Sequence, residues 1–132
     1  TVKCFGNFEV YSHGERLVFK RTKTKELLAF LVDRKGAGVT AREISAMLWP
    51  DKVDEEKNHN YLRQLFFDLR QTLENVGADS IVIQSNYSYA LDIDKIDCDY
   101  YAYLKNGKPE FYGEYMIQYS WAEENRYFVT GL

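Results

Sequence analysis

The chain has 132 residues, 45% of them hydrophobic and 28% charged, with a formal net charge of −3. That length holds one domain, or one domain and a fragment of another, and buries a core without disulfide help. The proportions are those of an ordinary soluble protein, no apolar run approaches the roughly 18 residues of a membrane span, and no signal peptide opens the chain.

Val2 to Tyr11 is rich in β-branched and aromatic residues and predicts a strand. Ser12-His13-Gly14-Glu15 is a turn signal and Arg16 to Lys20 the returning strand, which makes an N-terminal β-hairpin. His13 is then a solvated loop residue, and His59 lies too far along the chain to share a metal with it, so no metal site is expected. A helix starts at Thr22 or Thr24 and runs to about Lys35, with Leu27, Leu28, Leu31 and Val32 inward and Gly36 as the stop. Gly36-Ala37-Gly38 follows a helix and lacks a nucleotide-loop fingerprint, and no cofactor is expected.

Val39 is extended. Thr40-Ala41-Arg42-Glu43 is a capping box opening a short helix whose stripe is Ile44, Met47 and Leu48. Trp49 closes it, Pro50 forbids continuation, and Asp51 to Val53 connect onward. From Asp54 to Glu74 the pattern is that of a long amphipathic helix. Asn58, Leu62, Leu65, Phe66, Leu69, Leu73 and Val76 share one side. Lys57, Asn60, Gln64, Phe67 and Gln71 share the other, with Arg63 and Arg70 on a flank. Asp54 suits the N-cap, and Glu55 and Glu56 suit the positive end of the helix dipole. Ser80–Ile83 and Tyr89–Ile93 then form two short strands around Gln84 to Ser88. A short helix, a turn, a long polar-faced helix and a following hairpin make a winged helix-turn-helix arrangement of the α+β class. Asn86 and Tyr87 form the tip of the wing, 81–93, placed either for a minor groove or phosphates or as an uncommitted turn.

Charge is unevenly spread. Through Lys95 there are 14 Lys and Arg against 14 Asp and Glu, and the remaining 3 against 6 carry the whole net charge. Arg16, Lys20, Arg21, Lys23 and Lys25 form a basic run uninterrupted by an acid, so the low overall charge does not exclude phosphate binding. Cys4 and Cys98 have no ligand spacing and are expected as free buried thiols in a reducing cytoplasm rather than as a disulfide. A chain that begins at Thr1 rather than Met suggests a piece of a longer protein.

The segments FGNFEV, KTKELLAFLV, VTAREISAMLWPD, NYLRQLFFDLRQTLE and NYSYALD together resemble the output domain of OmpR/PhoB-type winged-helix response regulators, and within these the Streptomyces antibiotic regulatory protein (SARP) branch. The resemblance covers about residues 2 to 95. CDYYAYL and YGEYMIQYSWAEENR resemble the opening of the bacterial transcriptional activator domain that follows in that branch. It implies a DNA-binding domain over 1–95 and the start of a helical, repeat-like activator domain over 96–132. The tail holds seven of the eleven tyrosines, at 100, 101, 103, 112, 115, 119 and 127, which suggests an aromatic layer packed against the winged helix, or an interface whose other half is absent.

The resemblance also implies roles. Asn60, Arg63, Gln64 and Phe67 would face bases, with Arg63 suited to a guanine edge and Gln64 to an adenine edge. Phe67 could instead pack on the tail or on a second protomer. Lys57, Arg70, Thr40 and Arg42 would contact phosphates. Promoter DNA is the implied partner, with RNA polymerase and a second protomer on repeated half-sites beside it, and no membrane. The chain departs from the family on the outer face of the long helix, at Phe67 and Asp68, where arginine is often found, and in the wing at Ser88, where glycine is common. No catalytic constellation is present: Ser12 and His13 lack an orienting acid, and Glu55/Glu56, Asp97/Asp99 and Glu123/Glu124 are helix-start or solvated charges. The competing reading is a winged helix that docks RNA polymerase or another regulator and has little DNA affinity of its own.

Overall fold

The computed structural model describes residues 1–52 and 54–130, with side chains through Arg126. Val53 of the expected connection and the Tyr127 side chain lie outside this description. The chain forms two compact units, one of Val18–Ile93 and one of Thr1–Leu17 with the chain from Asp94 onward. Compactness therefore groups the N-terminal strands with the tail, a different cut from the expected one at residue 95.

In the first of these units, α1 spans Thr22–Asp33, α2 Ala41–Leu48 and α3 Glu55–Glu74, followed by β4 (Val82–Gln84) and β5 (Tyr89–Leu91). Helix α1 is buried from Leu27 through Val32, including Ala29 and Phe30, so its inner surface is wider than one stripe. It ends at Asp33, two residues before the expected stop, because Lys35 and Gly36 both turn left-handed, at φ 56 and 86. Gly36 suits this left-handed position, and a Cβ there would also sit a tight 3.2 Å from Ile93 Cγ2.

The capping box of α2 is formed as the sequence predicts: the Glu43 amide donates to Thr40 Oγ1 at 3.1 Å, and the Thr40 amide to Glu43 Oε1 at 3.4 Å. Ile44 and Leu48 are buried, and Trp49 is the C-cap. At the start of α3 the Lys57 amide donates to Asp54 Oδ1 at 3.1 Å. Asn58, Leu62, Leu65, Phe66, Leu69 and Leu73 form the buried stripe of α3. Asn58, the one amide on it, donates from Nδ2 to the Lys52 carbonyl at 3.0 Å and so holds the incoming connection.

After α3, Asp79–Ile81 is a 3₁₀ turn rather than the start of a strand. β4 and β5 pair antiparallel, with Ile83 opposite Ala90. Val39 joins this hairpin through reciprocal backbone bonds to Tyr89, both 2.8 Å, so the single extended residue between α1 and α2 is in effect a third strand.

The other unit departs from the expected hairpin. β1 (Val2–Lys3), β2 (Glu9–Ser12) and β3 (Glu15–Arg16) form one antiparallel sheet in that order. The expected strand over Val2–Tyr11 is thus two strands, since Gly6 at φ 78 lets the chain fold back and pair Lys3 with Glu9. His13 and Gly14, both at positive φ, make the tight β2–β3 turn, and His13 is exposed as expected. The returning strand is only two residues long; the Leu17 amide still donates to the Val10 carbonyl at 2.8 Å, and Val18 beyond it is exposed.

The tail supplies α4 (Asp99–Asn106) and α5 (Glu123–Thr130). Gln118 mimics a strand partner: its Oε1 accepts from the Phe8 amide and its Nε2 donates to the Phe8 carbonyl. The Arg126 guanidinium donates to the carbonyls of Tyr115, Met116 and Tyr119. Phe5 sits at ring-contact distance from Tyr100, Tyr103 and Phe111, and Tyr100 from Tyr115. These tail rings therefore pack around Phe5, just after β1, within their own unit. Tyr112 stays exposed.

The capping box gives a direct check on the helix-turn-helix start. Thr40→Ala should lower stability by about 1 kcal/mol in urea unfolding, and Thr40→Ser should restore most of it.

Candidate nucleic-acid interface

The roll of α3 about its axis decides what it presents. Asp68 was expected on the outer face; it is instead buried, 7% exposed, with its carboxylate accepting from the Arg21 guanidinium at the N-cap of α1. It sits three residues after Leu65, at the edge of the buried stripe, where the sequence pattern alone does not separate inside from outside. Phe66 is fixed from the next turn. Its ring stacks on Tyr89 of β5, centroids 4.0 Å apart and planes 16° apart. Arg70 lies with its guanidinium 5.9 Å from the centre of the same Phe66 ring and donates to Gln84 of β4. The long helix is thereby tied to α1 on one side and to the hairpin on another.

With that roll, Lys57, Asn60, Gln64 and Phe67 are exposed along one side of α3, at successive spacings of three, four and three, and Arg63 is exposed on the flank beside Gln64. Phe67 is 60% exposed, an apolar ring amid polar side chains. Arg70, expected on phosphate, is half-buried and already engaged by Gln84, so it braces the hairpin. At the hairpin tip the Ser85 amide donates to the Ser88 carbonyl at 2.9 Å and the two hydroxyls lie 2.7 Å apart. This closes a four-residue turn that leaves Asn86 exposed and Tyr87 86% exposed. Ser88, the departure from the common glycine, thus has a use, and Gly38 leaves it room: a Cβ there would meet Ser88 Oγ at 3.2 Å.

At the amino end of α2, Thr40 spends its hydroxyl on the capping box, while Arg42 is exposed and 3.7 Å from the equally exposed Glu55. Such a surface pair is weak and leaves the guanidinium available. The basic run is less available than the sequence suggests. Arg21 holds Asp68, and Lys23 donates to the Leu48 carbonyl and to Glu26. Between α2 and the start of α3 lies an open groove of about 760 Å³, lined among others by Arg42, Ser45, Trp49, Lys52 and His59. No single sequence motif marks it, since its walls come from two helices and their connection. Among the described residues, no helix is long and apolar enough to cross a membrane.

Compared with solved structures, the chain is similar to Mycobacterium tuberculosis EmbR, in a structure of that protein in complex with a low affinity phosphopeptide. The TM-score is 0.70 over 98% of this chain, at 16% sequence identity. The likeness is one of fold. The chain spans 39% of that neighbour's length. No family profile matches the chain, and no curated protein matches it.

The buried end of the α1–α3 ion pair yields a check on the roll of α3. Removing Arg21 strands a buried carboxylate, so Arg21→Ala should cost about 2 kcal/mol, a figure discounted for the partly solvated arginine. Asp68→Asn, which keeps a hydrogen-bond acceptor and sheds the charge, should cost less, and the double variant Arg21→Ala/Asp68→Asn should recover part of the loss in a double-mutant cycle.

Proposed function

We propose that this chain is a double-stranded DNA-binding module of a bacterial transcription regulator, with α3 in the major groove and the β4–β5 hairpin as a wing beside it. The observation that carries the reading is the exposed row Lys57, Asn60, Arg63, Gln64 and Phe67 on a helix whose opposite side is locked inward. A 20-residue helix is about 30 Å long, enough to lie in the groove with its first half against base edges. Arg63 offers a bidentate donor to guanine, Gln64 a matched donor and acceptor to adenine, and Asn60 a shorter amide beside them. Phe67 reaches a thymine methyl. Lys57 and Arg42, with the amides at the amino end of α2 capped by Thr40, take phosphates. Asn86 and Tyr87 reach the flanking backbone or minor groove. The fold likeness and the winged-helix resemblance of residues 2 to 95 support this reading, and residues 96–132 are the opening of an activator domain. In the whole regulator that domain serves RNA polymerase contact and pairing of protomers on repeated half-sites, in the cytoplasm.

Two observations favour the competing reading, a winged helix that docks a protein. The groove beside Trp49 and His59 is open, and the exposed rings of Tyr61 and Phe67 are unusual on a DNA-facing helix. Nucleic-acid binding separates the two readings. Selection from a random duplex pool, followed by fluorescence anisotropy at two salt concentrations, should enrich a motif. Arg63→Ala and Gln64→Ala should each weaken the selected site by roughly 10- to 100-fold and blur different positions of it. Lys57→Ala should weaken all duplexes evenly and flatten the log K against log salt slope by about one. No enrichment, with binding weak even at low salt, would favour protein docking.

A further inference from the structure

Cys4 and Cys98 are 94 positions apart in sequence, yet their sulfurs lie 3.5 Å from each other, with both residues buried at 0% and 3% exposure. Neither is in a disulfide. The fold brings them together by pairing Val2 with Cys98 in a parallel bridge and by a 2.7 Å bond from the Val2 amide to the Asp97 carbonyl. Cys98 is also the N-cap of α4. The hydrogen bond with the Cys4 thiol, with the Tyr101 and Tyr100 amides acting the same way, holds the Cys98 thiol below its ordinary value, against the opposing effects of burial and of Asp99. Asp99 completes a cluster that could in principle hold a metal ion. Its carboxylate is already committed: Oδ1 accepts from the Cys4 and Tyr100 amides, both at 2.7 Å, and Oδ2 from the Phe5 amide at 3.0 Å. Two sulfurs alone fall short of the four ligands of a structural zinc site.

We propose that Cys4 and Cys98 are a redox pair that a small hydroperoxide closes to a disulfide, fastening the residue after β1 to the start of α4. The Cys98 thiolate attacks one peroxide oxygen. A sulfur–oxygen bond forms, the oxygen–oxygen bond breaks, and the departing hydroxide takes a proton to become water. The Cys4 sulfur then attacks the Cys98 sulfenic acid. The disulfide forms, the sulfur–oxygen bond breaks, and the leaving hydroxide takes the Cys4 proton as a second water. The two sulfurs give up two electrons, and one hydrogen peroxide is reduced to two waters. The sulfurs are already neighbours, so closure needs a shift of about 1.5 Å between them to reach the bonded separation.

The test treats the whole chain with hydrogen peroxide, with and without prior metal chelation, and digests it with trypsin under non-reducing conditions. The expected product joins peptide 4–16 to peptide 96–105, two hydrogens lighter than the sum. The oxidised chain should carry no disulfide between molecules and melt about 10 °C above the reduced one. Cys4→Ser and Cys98→Ser, each a near-isosteric change, should show neither the linked peptide nor the shift. Three results would overturn the proposal. The folded thiols could stay reduced while the urea-unfolded chain oxidises. The linkage could form only between molecules. The chain could carry a stoichiometric metal whose removal alone frees the thiols.

Discussion

A carboxylate taken out of water has to be compensated by a cation or by hydrogen-bond donors. Asp68 lies within the packed side of α3, and the partner it finds is Arg21, at the start of α1. That pairing fixes more than a local charge. A side chain on one edge of the buried stripe, tied to a second helix, removes the freedom of α3 to roll, and a roll of one residue would swing its surface by about 100°. Everything proposed for the outer row depends on that angle. The buried leucines alone define a broad inward side; the ion pair makes the choice of roll narrow.

The second constraint runs from α3 to the hairpin. Phe66 and Tyr89 stack, Arg70 lies over the same ring, and its guanidinium reaches Gln84. The reciprocal bonds of Val39 to Tyr89 add a connection from the entry to α2. Helix α3, the entry to α2 and the hairpin are therefore held around one stacked pair of rings. This matters for binding because a base-reading side chain and a backbone-touching turn are useful together only when their spacing is fixed in advance. Arg70, expected on phosphate, is one of the side chains that hold this spacing.

Much of this was legible in the sequence, for identifiable reasons. The capping box at Thr40 and Glu43 and the Asp54 cap are short-range signals, and both form as written. The inner stripe of α3 follows from periodicity down to Asn58, whose amide turned out to hold the Lys52 carbonyl. What the sequence could not supply was long-range. Asp68 and Arg21 are 47 positions apart, and an acid beside a stripe looks the same whether solvated or paired. The fold-back at Gly6 was hidden because a run of β-formers does not say where it turns, and Gln118 as a backbone mimic for Phe8 lies 110 positions away. The basic run looked like a face and is in part a set of internal ties, because charge patterning reports residue types without their partners.

The most direct test of the central claim is amide chemical-shift mapping of this chain by NMR during titration with a duplex recovered by selection. The account predicts the largest changes at Lys57, Asn60, Arg63, Gln64 and Phe67, with a second group at Asn86 and Tyr87 and little change along Leu62, Leu65 and Leu69. Changes concentrated at Trp49, Lys52 and His59 around the α2–α3 groove, or spread evenly over the chain, would contradict it.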